Sequence, residues 1–266
     1  MNGDRRGFTL IELLVVTVLG SLLVMVTLQV LITNQRTYTA QNAQIQGQQA
    51  LRGAMDVLFS ELREVSAQGG DIISMSSSSI TVRSMRNFGV ACAVAPATPS
   101  VTVLKVGNWF ADGDSVFVFA DNRENISSDD RWIPARVTAV DTTVGCGASQ
   151  GMRLTFGGQA ARFAADSVRV GAPARNYLRY TYSLVTESGE TYLGRTPAGG
   201  TAAPMVGPLK PSNGIEFTYQ DSLGATTTVT TNVRQITVKI RTASGVLNSL
   251  GQPVSDSLTG RIYTRN

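Results

Sequence analysis

Histidine is missing from the 266-residue sequence, and cysteine occurs only twice. Without an imidazole, the chain has no Ser-His-Asp or Cys-His catalytic group and no histidine-ligated metal site. Two cysteines are also too few for a structural zinc site that lacks histidine ligands. No P-loop or dinucleotide-binding glycine pattern stands out. We therefore predict a protein that is not an enzyme and needs no cofactor or metal.

Proline is absent from the first 95 residues, and all nine prolines fall between Pro96 and Pro253. Charge is also scarce, since Asp, Glu, Lys and Arg make up 16% of the chain. The formal net charge of +4 is too small for this length to indicate a nucleic-acid partner by itself. Composition thus divides the chain into a proline-free front and a turn-rich remainder.

Residues 13–32 form an apolar run of 20 residues, which is long enough to cross ~30 Å of hydrocarbon as a helix. Arg5 and Arg6 precede the run and favour a cytoplasmic N-terminus. A secretory signal peptide would have a shorter run followed by a small-residue cleavage site. A plain membrane anchor would explain the length and the arginines, but not the carboxylate of Glu12 at the start of the run.

The segment Gly7-Phe8-Thr9-Leu10-Ile11-Glu12 joins a short basic leader to this apolar run. The order of residues resembles the type III signal of prepilins, the precursors of type IV pilins and type II secretion pseudopilins. The resemblance implies that prepilin peptidase cuts between Gly7 and Phe8 and methylates the new amino group of Phe8. Glu12 then becomes the fifth residue of the mature chain, where the family uses a carboxylate for assembly.

The resemblance also implies a location and a set of partners. The precursor is expected in the lipid bilayer of the bacterial inner membrane, as a single-pass protein with its head outside the cytoplasm. An inner-membrane assembly platform would then move it into a pilus or pseudopilus beside other major and minor pilins, or pseudopilins. We hypothesise that Glu12 pairs with the Phe8 amine of a neighbouring subunit, because pairing offsets the cost of burying either charge. Snorkelling of Glu12 to the interface is the alternative.

The helix is predicted to continue beyond the apolar run to about Gln68. Apolar residues recur there at spacings of three and four, which is typical of an amphipathic helix. This stripe consists of Leu51, Met55, Leu58, Leu62 and Val65. We accordingly divide the chain into a leader (1–7), a transmembrane and filament-core helix (8–33), an amphipathic continuation (34–68) and a β-rich globular head (69–266).

From Ile80 onward, apolar residues alternate with polar ones, which predicts strands. The predicted strands are 80–86, 101–106, 115–120, 133–140, 152–156, 166–170, 177–185, 190–193, 215–220, 226–230, 235–241 and 258–263. The expected class is α+β, with the long N-terminal helix packed on a mostly antiparallel head. Residues 213–241 contain an I-x-F-x-Y strand, a D-x-x-G turn and a V-R-x-I-x-V strand. This pattern is similar to W-type minor pilins and J-type pseudopilins.

The function that this resemblance implies is that of a minor type IV pilin, acting in a tip or priming complex for adhesion, motility or DNA uptake. A J-type pseudopilin of a type II secretion system is one alternative. A membrane-anchored adhesin or DNA-binding module is another, for which the second half of the chain supplies a basic cluster. Its members are Arg153, Arg162, Arg169, Arg175 and Arg179. Spaced arginines on strands are more often simply solvated, so DNA is the less favoured partner.

Cys92 and Cys146 are the one pair available for a disulfide in a head that lies outside the cytoplasm. A bridge would close a loop of about 55 residues and stabilise the fold by roughly 4 kcal/mol through loop entropy. Two unrelated thiols are the alternative.

The acidic stretch 121–130 lacks the calcium-loop pattern, and we interpret it as a solvated loop.

Overall fold

The computed structural model describes residues 9–105, 109–121, 123, 125–126, 130–165, 168–248 and 251–265. A long helix, α1 (Leu10–Leu62), precedes a head made mainly of strands, which confirms the predicted α+β class. A short helix, α2 (Ala160–Ala165), lies between the seventh and eighth strands. The strands are β1 (Ile72–Met75), β2 (Ser79–Ala95), β3 (Ser100–Leu104), β4 (Ser115–Ala120), β5 (Arg131–Asp141), β6 (Gly145–Cys146), β7 (Ser149–Phe156), β8 (Pro173–Glu187), β9 (Glu190–Pro197), β10 (Ala203–Val206), β11 (Ile215–Gln220), β12 (Gln235–Leu247) and β13 (Pro253–Tyr263).

The larger of two sheets has the strand order β1-β2-β3-β7-β5-β4-β8-β9-β10, with β6 paired to β7. Strand β2 also pairs with β8, so β2, β3, β7, β5, β4 and β8 form a closed antiparallel circuit. The 17 residues of β2 allow this, since residues 79–90 pair with β8 and residues 91–95 pair with β3. Strands β11, β12 and β13 form a separate antiparallel sheet.

The first hydrophobic core lies between α1 and the strands that cover it. The apolar stripe predicted on the helix is buried there, and its leucines are at most 3% exposed. Strands β2 and β12 place Ile80, Val82, Ile236 and Val238 against the same core. Burying each such side chain contributes roughly 1.5–3 kcal/mol. The second half of α1 is thus held by its own head.

The second core fills the closed circuit and contains no residue of α1. Inward-facing residues of β3, β4, β5 and β7 form it, among them Val103, Val118 and Leu154. Helix α2 covers it with Phe163, whose ring stacks on Phe156 with centroids 5.2 Å apart. The head therefore combines a sheet that holds the helix with a barrel-like unit that has its own interior.

Two glycines allow close contact between helix α1 and the smaller sheet. A Cβ atom on Gly47 would lie 3.1 Å from the Thr242 Oγ1 atom of β12. A Cβ atom on Gly260 in β13 would lie 2.7 Å from both Met55 Sδ and Phe59 Cε2 of the helix. The absence of side chains at these points lets the β12–β13 hairpin lie directly along the helix.

Helix α1 ends at Leu62, six residues before the predicted end at Gln68. The chain turns there because the carboxylate of Asp71 accepts a hydrogen bond from the backbone N–H of Ser66 at 3.0 Å. The Ser66 hydroxyl in turn accepts a bond from the N–H of Gly69 at 3.0 Å. Val65 stays buried beyond the helix end, so the apolar stripe continues into the turn.

Two of the predicted strands are wrong over their described residues. In the segment 166–170, Val168 and Arg169 are not in a strand, and the buried Val168 packs into the second core from a loop. In the segment 226–230, Thr226 forms a single bridge with Gln220, and a 3-10 turn begins at Thr230. The side chains of this second segment are mostly exposed, so no buried face fixes them as a strand.

Candidate functional site

The N-terminus of α1 is closed by hydrogen bonds between Thr9 and Glu12. The N–H of Glu12 donates to Thr9 Oγ1 at 3.3 Å, while the N–H and the hydroxyl of Thr9 both donate to Glu12 Oε2 at 3.0 Å. This capping box satisfies backbone donors that a helix start leaves without an intrahelical partner. In an apolar environment each unsatisfied donor would cost several kcal/mol.

The carboxylate of Glu12 is thus held at the first turn of the helix, at the start of the apolar run. In the described part of the chain, both hydrogen-bond partners of this carboxylate belong to Thr9. Sequence reasoning missed the role of Thr9, although the pattern Thr-x-x-Glu before an apolar run is the usual signature of a capping box.

The first half of α1 is apolar on all sides and contacts little of its own chain. Its large apolar side chains from Leu10 to Ile32 range from 48% exposed at Val15 to 87% exposed at Leu10. An 18-residue stretch of this helix is apolar enough to cross a membrane, and none of it is buried. Soluble monomers do not expose apolar surface of this extent, so lipid or other proteins must cover it.

The hydroxyl groups within this segment are satisfied inside the helix itself. Thr17 and Ser21 donate to the carbonyl oxygens three residues earlier, at 2.9 and 2.8 Å. Thr27 and Thr33 donate to the carbonyls four residues earlier, at 2.7 and 2.8 Å. These hydroxyl groups therefore bond within the helix, and the segment fits a hydrocarbon environment by length and composition.

Comparison with protein families matches residues 2–28 to the prokaryotic N-terminal methylation motif. This motif indicates a type IV prepilin-like protein. The motif implies that prepilin peptidase processes this prepilin-like protein and that the product assembles with other pilins. The exposed apolar helix fits the membrane-anchored form of such a protein. Searches of curated proteins and of solved structures found no match.

The three residues predicted to act in processing and assembly all fall within the matched segment. Gly7 and Phe8 lie outside the described residues of the prepilin-like protein, so the cleavage and methylation site has no structural description. Glu12 is described, at the position given above. The roles of these three residues, including the pairing of Glu12 with the Phe8 amine, stay predictions.

The two cysteines of the prepilin-like protein form a disulfide, the pairing that the sequence favours. Cys92 lies in β2 and Cys146 in β6, with Cα atoms 5.8 Å apart. Cys92 lies in the part of β2 that pairs with β3 in the closed circuit, not in the part that packs on α1 through Ile80 and Val82. The acidic stretch 121–130, interpreted as a solvated loop, lies partly outside the described residues.

Arg175 is not part of a solvated basic face, and this corrects the sequence interpretation. It is 6% exposed, and its Nη2 atom donates to both carboxylate oxygens of Asp71 at 3.1 Å. Its guanidinium also lies over the rings of Phe117 and Trp132, 5.2 and 4.7 Å from their centroids. Burial raises the pKa of Asp71, while the Arg175 guanidinium opposes that rise. The other four arginines of the basic cluster are exposed.

A second charged cluster ties the last turns of α1 to the larger sheet. Arg86 Nη2 in β2 donates to both oxygens of Glu61 at 3.1 Å, and Arg195 Nη1 in β9 lies 3.8 Å from Glu61 Oε1. Both guanidinium groups also lie over the ring of Tyr180. Burial acts to raise the pKa of Glu61, but the Ser84 hydroxyl and Arg86 outweigh it and hold that pKa below its ordinary value.

Proposed function

We propose that this prepilin-like protein is a minor type IV pilin that acts in a tip or priming complex of the filament. One observation carries the proposal: the exposed apolar half of α1 continues directly into a half that is built into the head. Such a helix can be stored in a membrane and later transferred into a bundle of similar helices without unfolding the head. The protein would act by binding other pilins and would have no catalytic role.

The size of the head supports a place at the end of the filament. Every subunit along a filament must fit its head between neighbours at each step, and the closed circuit adds bulk that does not contact α1. A subunit at the tip has free space beyond it. The W-type and J-type pattern also supports a minor subunit. Its two strands are β11 and β12, and its D-x-x-G segment forms a turn in which Asp221 accepts from two backbone N–H groups.

The proposed location is the inner membrane, with the head outside the cytoplasm. The disulfide supports this topology, because such bonds persist in oxidising compartments. The first test is mass spectrometry of the mature N-terminus in cells that carry the assembly machinery. An N-methylated Phe8 at the start is the expected result, whereas an uncut chain beginning at Met1 would contradict the proposal.

The second test is immunogold labelling of sheared filaments. A minor tip subunit should label filament ends sparsely, and deletion of its gene should reduce the number of filaments. Labelling along the whole filament would indicate a major subunit instead. Confinement of the processed protein to the periplasm would indicate the J-type pseudopilin.

A further inference from the structure

The β12–β13 hairpin extends along α1 beyond the part of the helix that the head buries. At Gly47 the helix lies against Thr242 of β12. Five strand residues beyond Thr242 advance β12 by about 17 Å to Leu247. Eleven helix residues back from Gly47 cover about the same 17 Å and end at Arg36. The end of the hairpin therefore lies level with Arg36.

A groove between the helix and the hairpin agrees with this placement. It is lined on one side by Thr33, Arg36, Thr37 and Thr39 and on the other by residues that we call the hairpin end: Val246, Leu247, Asn248 and Gly251. The hairpin end thus reaches the helix just after the apolar run stops at Ile32.

The membrane boundary falls at the same level. If residues 13–32 span the hydrocarbon, Arg36 lies about 6 Å beyond its edge, four helical residues past Ile32. Each headgroup layer of a bilayer is about 5–7 Å thick. Side chains of a helix tilt toward its N-terminus, which here means toward the membrane. Arg36 and the hairpin end are therefore placed in the headgroup layer.

The side chains at this level have the chemistry of a membrane interface. Arg36 is exposed and is the first charged residue after Glu12. Tyr38 is 67% exposed and Leu247 is 53% exposed. Tyrosine favours the headgroup level, arginine binds lipid phosphate, and leucine favours the adjoining acyl region.

We propose that the hairpin end, with Arg36 and Tyr38, forms a second contact with the phospholipid headgroup layer. A single helix leaves the head free to rotate about the helix axis and to tilt. A second contact on one side of the helix fixes both, and so sets which face of the head meets the assembly machinery. The inference rests on the membrane-anchored stage of the proposed function.

The test places an indole at three depths in the full-length protein, reconstituted in phosphatidylethanolamine–phosphatidylglycerol vesicles. The lipids carry bromine on acyl carbons near the headgroup, which quenches a nearby indole, and the emission of Trp109 and Trp132 in the unsubstituted protein is subtracted. Leu247→Trp is the test variant. The matched control is Leu223→Trp, because Leu223 is 90% exposed in the turn at the opposite end of the same sheet. That end lies about 40 Å from Leu247 along β12.

Leu28→Trp, within the apolar run, reports whether the helix is inserted. We expect the bromolipids to remove most of the added emission in Leu28→Trp and Leu247→Trp and to leave Leu223→Trp unchanged. If Leu28→Trp is quenched but Leu247→Trp behaves like Leu223→Trp, the headgroup contact is wrong and the membrane anchor stands. If Leu28→Trp is not quenched, both the anchored stage and the contact are wrong.

Discussion

The two halves of α1 use the same residue types in opposite surroundings. Leu23 in the first half is 70% exposed, whereas Leu58 in the second half is fully buried. The first half is apolar around its whole circumference, and the second half only along one stripe that its own head covers. A helix that is apolar on all sides needs cover on all sides, which a single head cannot supply. The difference shows which half works inside the subunit and which half works between molecules.

The acidic side chains near the two halves of α1 also differ in whether they bond to the head. Glu12 bonds to Thr9 within its own turn of helix, so in the described part of the chain it contributes nothing to the fold of the head. Glu61 and Asp71 bond to arginines of distant strands. Substitutions in the first half of α1 should therefore affect assembly, and substitutions in or next to the second half should affect the stability of the head.

The largest effect is expected from Glu12→Ala. Leader removal should be normal, but the variant should be lost from filaments, because in the predicted pairing the Phe8 amine of a neighbour would have no carboxylate partner. The measurement is the amount of the variant in sheared filaments relative to the membrane fraction. Asp56→Ala is the matched control, because Asp56 is an exposed carboxylate on the second half of the same helix.

Thr9→Ala sharpens this first prediction. It removes the hydroxyl of the capping box but keeps the carboxylate, at a cost of about 1 kcal/mol in helix stability. We expect incorporation to be retained. If Thr9→Ala and Glu12→Ala lose incorporation equally, the role of Glu12 is in capping rather than in pairing.

Asp71→Ala should destabilise the head by about 3–5 kcal/mol, because it leaves the buried guanidinium of Arg175 without its partner. Chemical denaturation of the detergent-solubilised protein measures this change. Asp56→Ala again serves as the control and should change the free energy of unfolding by no more than about 0.5 kcal/mol. Equal stability of the two variants would contradict a structural role for the Asp71–Arg175 pair.

One substitution made in both halves tests the comparison directly. Leu58→Ala should cost about 2–5 kcal/mol in the free energy of unfolding, since it leaves a cavity in the first core. Leu23→Ala should leave the unfolding of the head almost unchanged in detergent. A similar loss from both substitutions would mean that the first half is folded against the head after all.

The smallest effect is expected in the pH dependence of the free energy of unfolding, to which Glu61 contributes. Its pKa in the folded protein lies below the ordinary value of 4.5, so the unfolded state binds more protons in acid. The stabilisation is fully present above pH 4.5 and is lost as the pH falls through the lowered pKa. Glu61→Gln should therefore flatten the acid side of a plot of stability against pH. Parallel curves for the two proteins would contradict this.

The local features of the fold could be predicted from the sequence, and the long-range ones could not. Strands β4 and β11 have the predicted bounds, because each is a short segment rich in apolar residues that follows a clear turn. The stripe on α1 is likewise a property of spacing alone. The closed circuit depends on which part of β2 pairs with which partner, and no spacing along the chain indicates that choice.

The candidate site divides in a similar way. Glu12 and its capping partner Thr9 are three residues apart and belong to a recognisable local pattern. Asp71 and Arg175 are 104 residues apart, and the arginine stands among others that are exposed. Only the fold shows that this one arginine is buried.

The closed circuit has a consequence for a protein that is packed beside many others. A strand at the edge of a sheet offers free N–H and C=O groups to any strand nearby, and this is a common route to aggregation. In the described part of the head, β3, β4, β5 and β7 each have a strand of the circuit on both sides. The local concentration of copies is high in an assembling fibre. There the closed circuit presents side chains rather than open backbone to adjacent copies. Contacts between copies are therefore limited to those that side chains can specify.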